Sequence, residues 1–173
     1  MRSDLSLSLE LPPTAPMDMA ALPKALRCFR FCDVLRIVSV PFKFEGAPED
    51  NHDIQHNFPR VFEWLVERAG VKHIVRVVAD NIENPPCRDE SIERALANLV
   101  VEELDWRKND ICPRTIRKVG NDLRVLSLYW AGNNAVLRAW SEPEGLAKLP
   151  KLRKIYLNVT KVWISTHTLS VQL

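Results

Sequence analysis

The chain is poor in glycine. Five glycines occur in 173 residues, at positions 46, 70, 120, 132 and 145. No two stand close enough for GxGxxG, a Walker phosphate loop or GxSxG, which excludes the commonest nucleotide-binding and hydrolase signatures. Long apolar runs are lacking as well. The longest near the start, Val34 to Val40, is interrupted by Arg36, and a bilayer span needs about 20 apolar residues. The first residues carry Arg2, Asp4 and Glu10, so there is no unbroken apolar core of the kind a secretory signal requires. The reading is an intracellular, cytoplasmic chain with no membrane partner. An excess of charge of one sign is missing too. Twenty-four basic and 22 acidic residues leave a net +2, too little to argue for nucleic acid. What remains, 46% apolar and 27% charged residues, is an ordinary globular composition at a one-domain length.

Cysteine is scarce but patterned. Cys28, Cys32, Cys87 and Cys112 are expected to be thiols in a reducing compartment. Cys28-x3-Cys32 precedes His52-x3-His56, and two thiolates with two imidazoles make a tetrahedral zinc set. The pairs lie 19 residues apart, against about 12 in the finger pattern. Cys28 and Cys32 also sit among Phe29, Phe31 and Leu35, where a small thiol suits a core. The expectation is no cofactor. Cys28, Cys32, His52 and His56 are the sole metal candidates, and a small zinc module is an alternative reading.

Three segments follow from the pattern. Residues 1–33, with Pro12, Pro13, Pro16 and Pro23, read as a disordered or loosely packed arm. Residues 34–159 read as the folded domain, and 160–173 as a divergent tail. Val34–Val40 is β-branched and strand-like. Asn57 is placed to cap a helix with Pro59 in its first turn. Phe58, Val61, Phe62, Leu65 and Ala69 would form that helix's apolar face, ended by Gly70. Val71–Val78 is apolar on both faces, as a covered parallel strand should be. Asp89 opens a helix carrying Ile92, Leu96 and Leu99, followed by a strand over Val100–Trp106. Pro113 starts a short helix ending at Gly120. Leu123–Trp130 is a strand, Asn133 or Asn134 caps a helix through Trp140, and Leu152–Val159 is a last strand. Val162, Ile164 and Leu169 alternate as one more strand would.

Strand and helix thus alternate, which predicts an α/β fold with a parallel sheet and right-handed crossovers. A repeat runs through it. Val101-x-x-Leu104-x-Trp106, Leu123-x-x-Leu126-x-Leu128 and Leu152-x-x-Ile155-x-Leu157 share one spacing, and Ile74, 30 residues before Leu104, belongs to a weaker copy. LxxLxL at periods of roughly 20–29 residues is the leucine-rich-repeat signature. An open, doubly wound sheet is the alternative.

Two longer stretches carry a resemblance. Val101-Glu-Glu-Leu-Asp-Trp-Arg-Lys-Asn-Asp-Ile-Cys-Pro113 resembles a segment of a group of fungal subtilisin-like serine peptidases. So does Asp122-Leu-Arg-Val-Leu-Ser-Leu-Tyr-Trp-Ala-Gly-Asn-Asn-Ala-Val-Leu-Arg-Ala-Trp-Ser-Glu-Pro-Glu-Gly-Leu146. The similarity starts near Val61-Phe-Glu-Trp-Leu65 and runs to about Val159. In that group the region lies N-terminal to the peptidase domain and is not the catalytic part. The subtilase motifs Asp-Thr/Ser-Gly, His-Gly-Thr and Gly-Thr-Ser-Met-Ala do not occur here, so no catalytic residue carries over. The resemblance implies a non-catalytic interaction or regulatory domain whose partner is another protein or an associated peptidase domain. The alternative it implies is a fragment of an active serine endopeptidase. Thr160–Leu173 departs from the family continuation, which points to a truncated product or gene model.

Candidate binding residues form two groups. Trp130, Asn133, Asn134, Arg138 and Trp140 would make a recognition patch, since Trp and Arg favour binding hot spots. In the competing reading the tryptophans pack inward and the asparagines only cap. Asp105 and Asp110 follow a strand end, where open α/β sheets often hold ligands. Together with Asp80 they would line one sheet edge, and clustered acids suit a metal; solvated loop acids are the plain alternative. Charge is also segregated. Residues 107–124 carry six basic and two acidic residues, and 88–105 two basic and six acidic. The asymmetry would bind an acidic partner or pair across adjacent units, with plain solvated helix faces as the default reading. An unpaired edge at 152–159 would favour association.

Overall fold

The structure is a computed structural model and describes residues 8–10, 17–18, 24, 32–40, 44–45, 54–80, 87–159 and 167–172. Nine strands alternate with four α-helices among these residues. The strands are β1 (Ser8–Glu10), β2 (Met17–Asp18), β3 (Val34–Val40), β4 (Phe44–Glu45), β5 (His73–Asp80), β6 (Val100–Asn109), β7 (Val125–Trp130), β8 (Lys154–Val159) and β9 (His167–Gln172). The helices are α1 (Ile54–Glu67), α2 (Asp89–Leu96), α3 (Pro113–Val119) and α4 (Asn134–Ser141), with a 3-10 turn at Leu146–Lys148.

Seven strands form one sheet in the order β1-β3-β5-β6-β7-β8-β9. Its first six strands are parallel, and β9 returns antiparallel to β8. β2 and β4 form a separate parallel pair. The fold is α/β, as the alternation predicted. The strand order never reverses. A doubly wound sheet needs a reversal to place helices on both faces, so that alternative is excluded. Right-handed crossovers that always advance one way put every helix on the same face. Accordingly α1 packs on α2, α2 on α3 and α3 on α4. The coil is leucine-rich-repeat-like in this sense.

The register corrects the repeat. Val77 pairs with Leu104, Leu104 with Leu126 and Leu126 with Ile155. Val77, not Ile74, is therefore the equivalent of Leu104, and it lies 27 residues before it. Ile74 pairs with Val101 and holds the first position of the motif. Leu35-x-x-Val38-x-Val40 in β3 is a fifth copy, because Val38 pairs with Val77. In β3 to β7 these apolar positions are buried against the helices. Leu35, Val38, Ile74, Val77, Ala79, Trp106 and Leu123 are completely or almost completely inaccessible. They join Val61, Phe62 and Leu65 of α1, Ile92 and Leu96 of α2, and Ile116 of α3 in one core. Trp106 stacks on Phe62 with ring centroids 6.0 Å apart and planes 29° apart.

Several boundaries move. α1 begins at Ile54, three residues before the expected Asn57, so Pro59 lies in its second turn. Pro59 cannot donate to the carbonyl one turn back; it is buried instead. Gly70 takes φ +73° after that helix, the left-handed conformation expected of it. β6 runs past Trp106 to Asn109. Five residues of β6, Asp105 to Asn109, lie against only three of β7, Ser127 to Tyr129. The bulge ends at Asp110, whose φ of 55° is left-handed. Aspartate is one of the few non-glycine residues that visit this region, and here the turn is tied to the next strand: Asp110 N–H donates to the Tyr129 carbonyl at 2.8 Å and Ala131 N–H donates to Asp110 Oδ1 at 3.2 Å. The expected free edge at 152–159 is also corrected. β9 pairs along the whole of β8, so the edge passes to β9. Ser8–Glu10, within the segment read as an arm, pairs with β3.

The charge segregation resolves into pairs between successive coils. Glu93 of α2 receives Lys118 and, at 3.0 Å, the Thr115 hydroxyl, both from α3. Asp89 binds Lys108 and accepts the Cys112 N–H at 2.8 Å. Glu102 lies 3.1 Å from His73 and 3.2 Å from Arg124, and Lys151 meets Asp122. The acidic stretch of one unit faces the basic stretch of the next.

Candidate functional site

The face of the sheet away from the helices is built from the remaining motif positions. If the first apolar residue of each LxxLxL is position one, then positions three, five and seven point to this open face. They are Arg76, Val78 and Asp80 in β5; Glu103, Asp105 and Arg107 in β6; Val125, Ser127 and Tyr129 in β7; and Lys154, Tyr156 and Asn158 in β8. Parallel register sets them in rows. Arg76, Glu103, Val125 and Lys154 form one row, and Val78, Asp105, Ser127 and Tyr156 the next.

Val125 and Ser127 are small and stand between longer neighbours. The result is a depression of about 470 Å³ over β7. Its β6 wall is acidic but occupied. The Tyr129 hydroxyl donates to Asp105 Oδ1 at 2.7 Å. Burial, and then this bond to a carboxylate, push the Tyr129 phenol far above its ordinary range, so it stays neutral. Arg107 lies 3.8 Å from both Asp105 and Asp80, and Arg76 lies 4.0 Å from Glu103. On the β8 wall the Lys154 ammonium sits 4.4 Å above the Tyr156 ring centroid, within cation–π range. Asn158 Nδ2 donates to the Leu128 carbonyl at 3.2 Å and fixes the end of that wall.

The candidate residues divide between this face and the β7–α4 corner. Asp105 lines the depression. Asp80 lies beside it, linked to Asp105 through Arg107. Asp110 forms the turn after the bulge. At the corner, Trp130 Nε1 donates to the Asn133 carbonyl at 2.9 Å, and Asn133 Oδ1 caps α4 by accepting from Ala135 N–H at 3.0 Å. Asn134 is exposed at the first turn of α4. Arg138, 83% exposed, pairs with Glu142 at 3.5 Å. Trp140 is buried, and its Nε1 donates to the Ile111 carbonyl at 2.8 Å. The two tryptophans thus shape the corner, and none of these corner residues lines the depression. Cys28 and His52 lie outside the described residues; His56 falls in α1, and Cys32 is exposed. No cluster of three metal-ligating side chains occurs among the described residues.

Arg76, Ser127, Tyr129 and Tyr156 escaped sequence reasoning, and Lys154 stood out only as part of the basic run Lys148, Lys151, Arg153 and Lys154. The signal was available: they are the intervening positions of the same motif that defined the strands. No described helix is long and apolar enough to cross a membrane. No protein-family profile, curated protein or solved structure matches the chain.

Proposed function

We propose that this chain is a non-catalytic protein-interaction domain that receives an extended polypeptide across its open sheet face. The supporting observation is the row of polar and aromatic side chains over Val125 and Ser127, held on parallel strands with no helix among the described residues packed over it. Extended surfaces of stacked repeats serve this purpose. The resemblance of residues 61–159 to the region preceding the peptidase domain of fungal subtilisin-like peptidases agrees with it. In that setting the partner is a substrate protein or the peptidase domain itself. The missing subtilase motifs support a chain without catalytic activity of its own.

Panning a random peptide display library against the chain tests the reading. Extended peptides should be enriched, lost with Ser127→Arg, which fills the depression, and kept with Arg114→Ala on the helix side. An absence of enrichment, or enrichment indifferent to Ser127→Arg, would overturn it.

A further inference from the structure

Among the described residues of the open face each carboxylate has a cation nearby, but Lys154 has no carboxylate. Asp80, Glu103 and Asp105 each lie within 4.0 Å of an arginine. Lys154 contacts the Tyr156 ring and has no ion-pair partner among the described residues. Arg153 beside it has none either. On the helix side Lys118 is paired with Glu93, and both Arg117 and Lys148 with Glu144. From residue 151 to 159 there are three basic residues and no acid, and only Lys151 is paired. The hydroxyls of Ser127 and Tyr156, which line the same depression, make no hydrogen bond to another described residue. The depression therefore presents an ammonium and a hydroxyl from β8 and a hydroxyl from β7, while the carboxylates opposite are already engaged by Arg76, Arg107 and the Tyr129 hydroxyl.

We infer that the depression takes a carboxylate side chain of an acidic polypeptide partner, held by Lys154 Nζ with the Ser127 and Tyr156 hydroxyls donating. This rests on the interaction-domain reading and specifies its ligand. Val125 forms the floor under the side chain's methylenes. A cationic side chain would meet Lys154 and find the opposite acids engaged, so the same geometry selects against basic partners.

The test is fluorescence anisotropy of the full chain with labelled alternating Glu-Ala and Lys-Ala peptides. The Glu-Ala peptide should bind, more weakly as salt rises, and the Lys-Ala peptide should not. Lys154→Glu should weaken binding by about tenfold or more, and Lys154→Arg should retain it. Circular dichroism of each variant establishes that it folds, and Lys154→Gln provides a milder loss of charge. Unchanged affinity in folded Lys154→Glu, or equal binding of the Lys-Ala peptide, would overturn the acidic specificity while the interaction reading stands. Failure of the Glu-Ala peptide where the display library is enriched does the same. Failure of both peptides and of the library removes both readings.

Discussion

The two faces of one sheet are made by the same strands and obey different rules. On the helix side, positions one, four and six of each copy are aliphatic or Trp and, from β3 to β7, almost fully buried. On the open side, positions three, five and seven are mostly polar, half-exposed and joined across strands by single bonds such as Tyr129 to Asp105. The first face is stabilised by area removed from water and by close packing. The second gains little from each exposed ion pair, about 0–1 kcal/mol, and keeps donors available for a partner. The difference teaches that one face holds the coil together and the other is free to vary for recognition.

Truncation on each face sharpens that contrast most. Trp106→Ala, which empties the space against Phe62, should cost about 3–5 kcal/mol. Val125→Ala, one strand over on the open face, should stay within about 1 kcal/mol. Urea denaturation followed by circular dichroism gives both numbers. Equal losses would erase the distinction between a structural and a binding face.

The contrast also explains what the sequence reveals. Burial imposes hydrophobicity at fixed spacing, so Val101, Leu104 and Trp106 announce a strand and its inward face from local pattern alone. Even here a faint copy misleads: Ala79 is too small to mark its motif, and Ile74 takes the place that belongs to Val77. The open face depends on register. Asp105 finds Tyr129 across 24 residues, and Lys154 comes to face Glu103 only because Val125 separates them in the row. Nothing in a local window carries that information. The β6 bulge is equally silent, since its two extra residues appear only when Asn109 is seen to pair with Tyr129. Tryptophans advertised the β7–α4 corner instead, and there Trp130 braces the start of α4 while Trp140 holds the Ile111 carbonyl before α3.

Charges between coils are intermediate. Lys108 is 9% exposed and held by Asp89. Asp89→Ala removes that partner and the acceptor for Cys112 N–H, and should cost about 2 kcal/mol. Adding Lys108→Met should recover part of the loss, because an unpaired ammonium no longer has to be buried. A double variant no better than the single would show that Asp89 acts only on the Cys112 turn.

Tyr129 is a largely buried residue of the open face, and its loss should be smaller, about 1 kcal/mol for Tyr129→Phe. Its pH behaviour has a fixed sign. The phenol is raised above its unfolded value of 10.0 by burial and by Asp105. Its contribution is therefore complete below pH 10.0 and lost as pH rises through the folded value. Tyr129→Phe should flatten the alkaline loss of stability seen in the wild-type chain. An alkaline limb unchanged by the substitution would place its origin elsewhere.

Glu93 provides the smallest and most selective probe, because it belongs to the coil-to-coil pairs and to neither face. Its carboxyl is held below the ordinary 4.5, first by the hydrogen bond from Lys118, then by Thr115 and nearby charge, against some opposing desolvation. A lowered folded value means the contribution is present above 4.5 and lost as pH falls through the folded value. Stability should therefore decline on the acid side, and Glu93→Gln should reduce that slope while leaving the alkaline limb untouched. High salt should reduce it too, since the Lys118 ammonium is about half exposed and screened. An acid slope that ignores both salt and Glu93→Gln would mean that the pairing between α2 and α3 follows from packing of the coils and does not drive it.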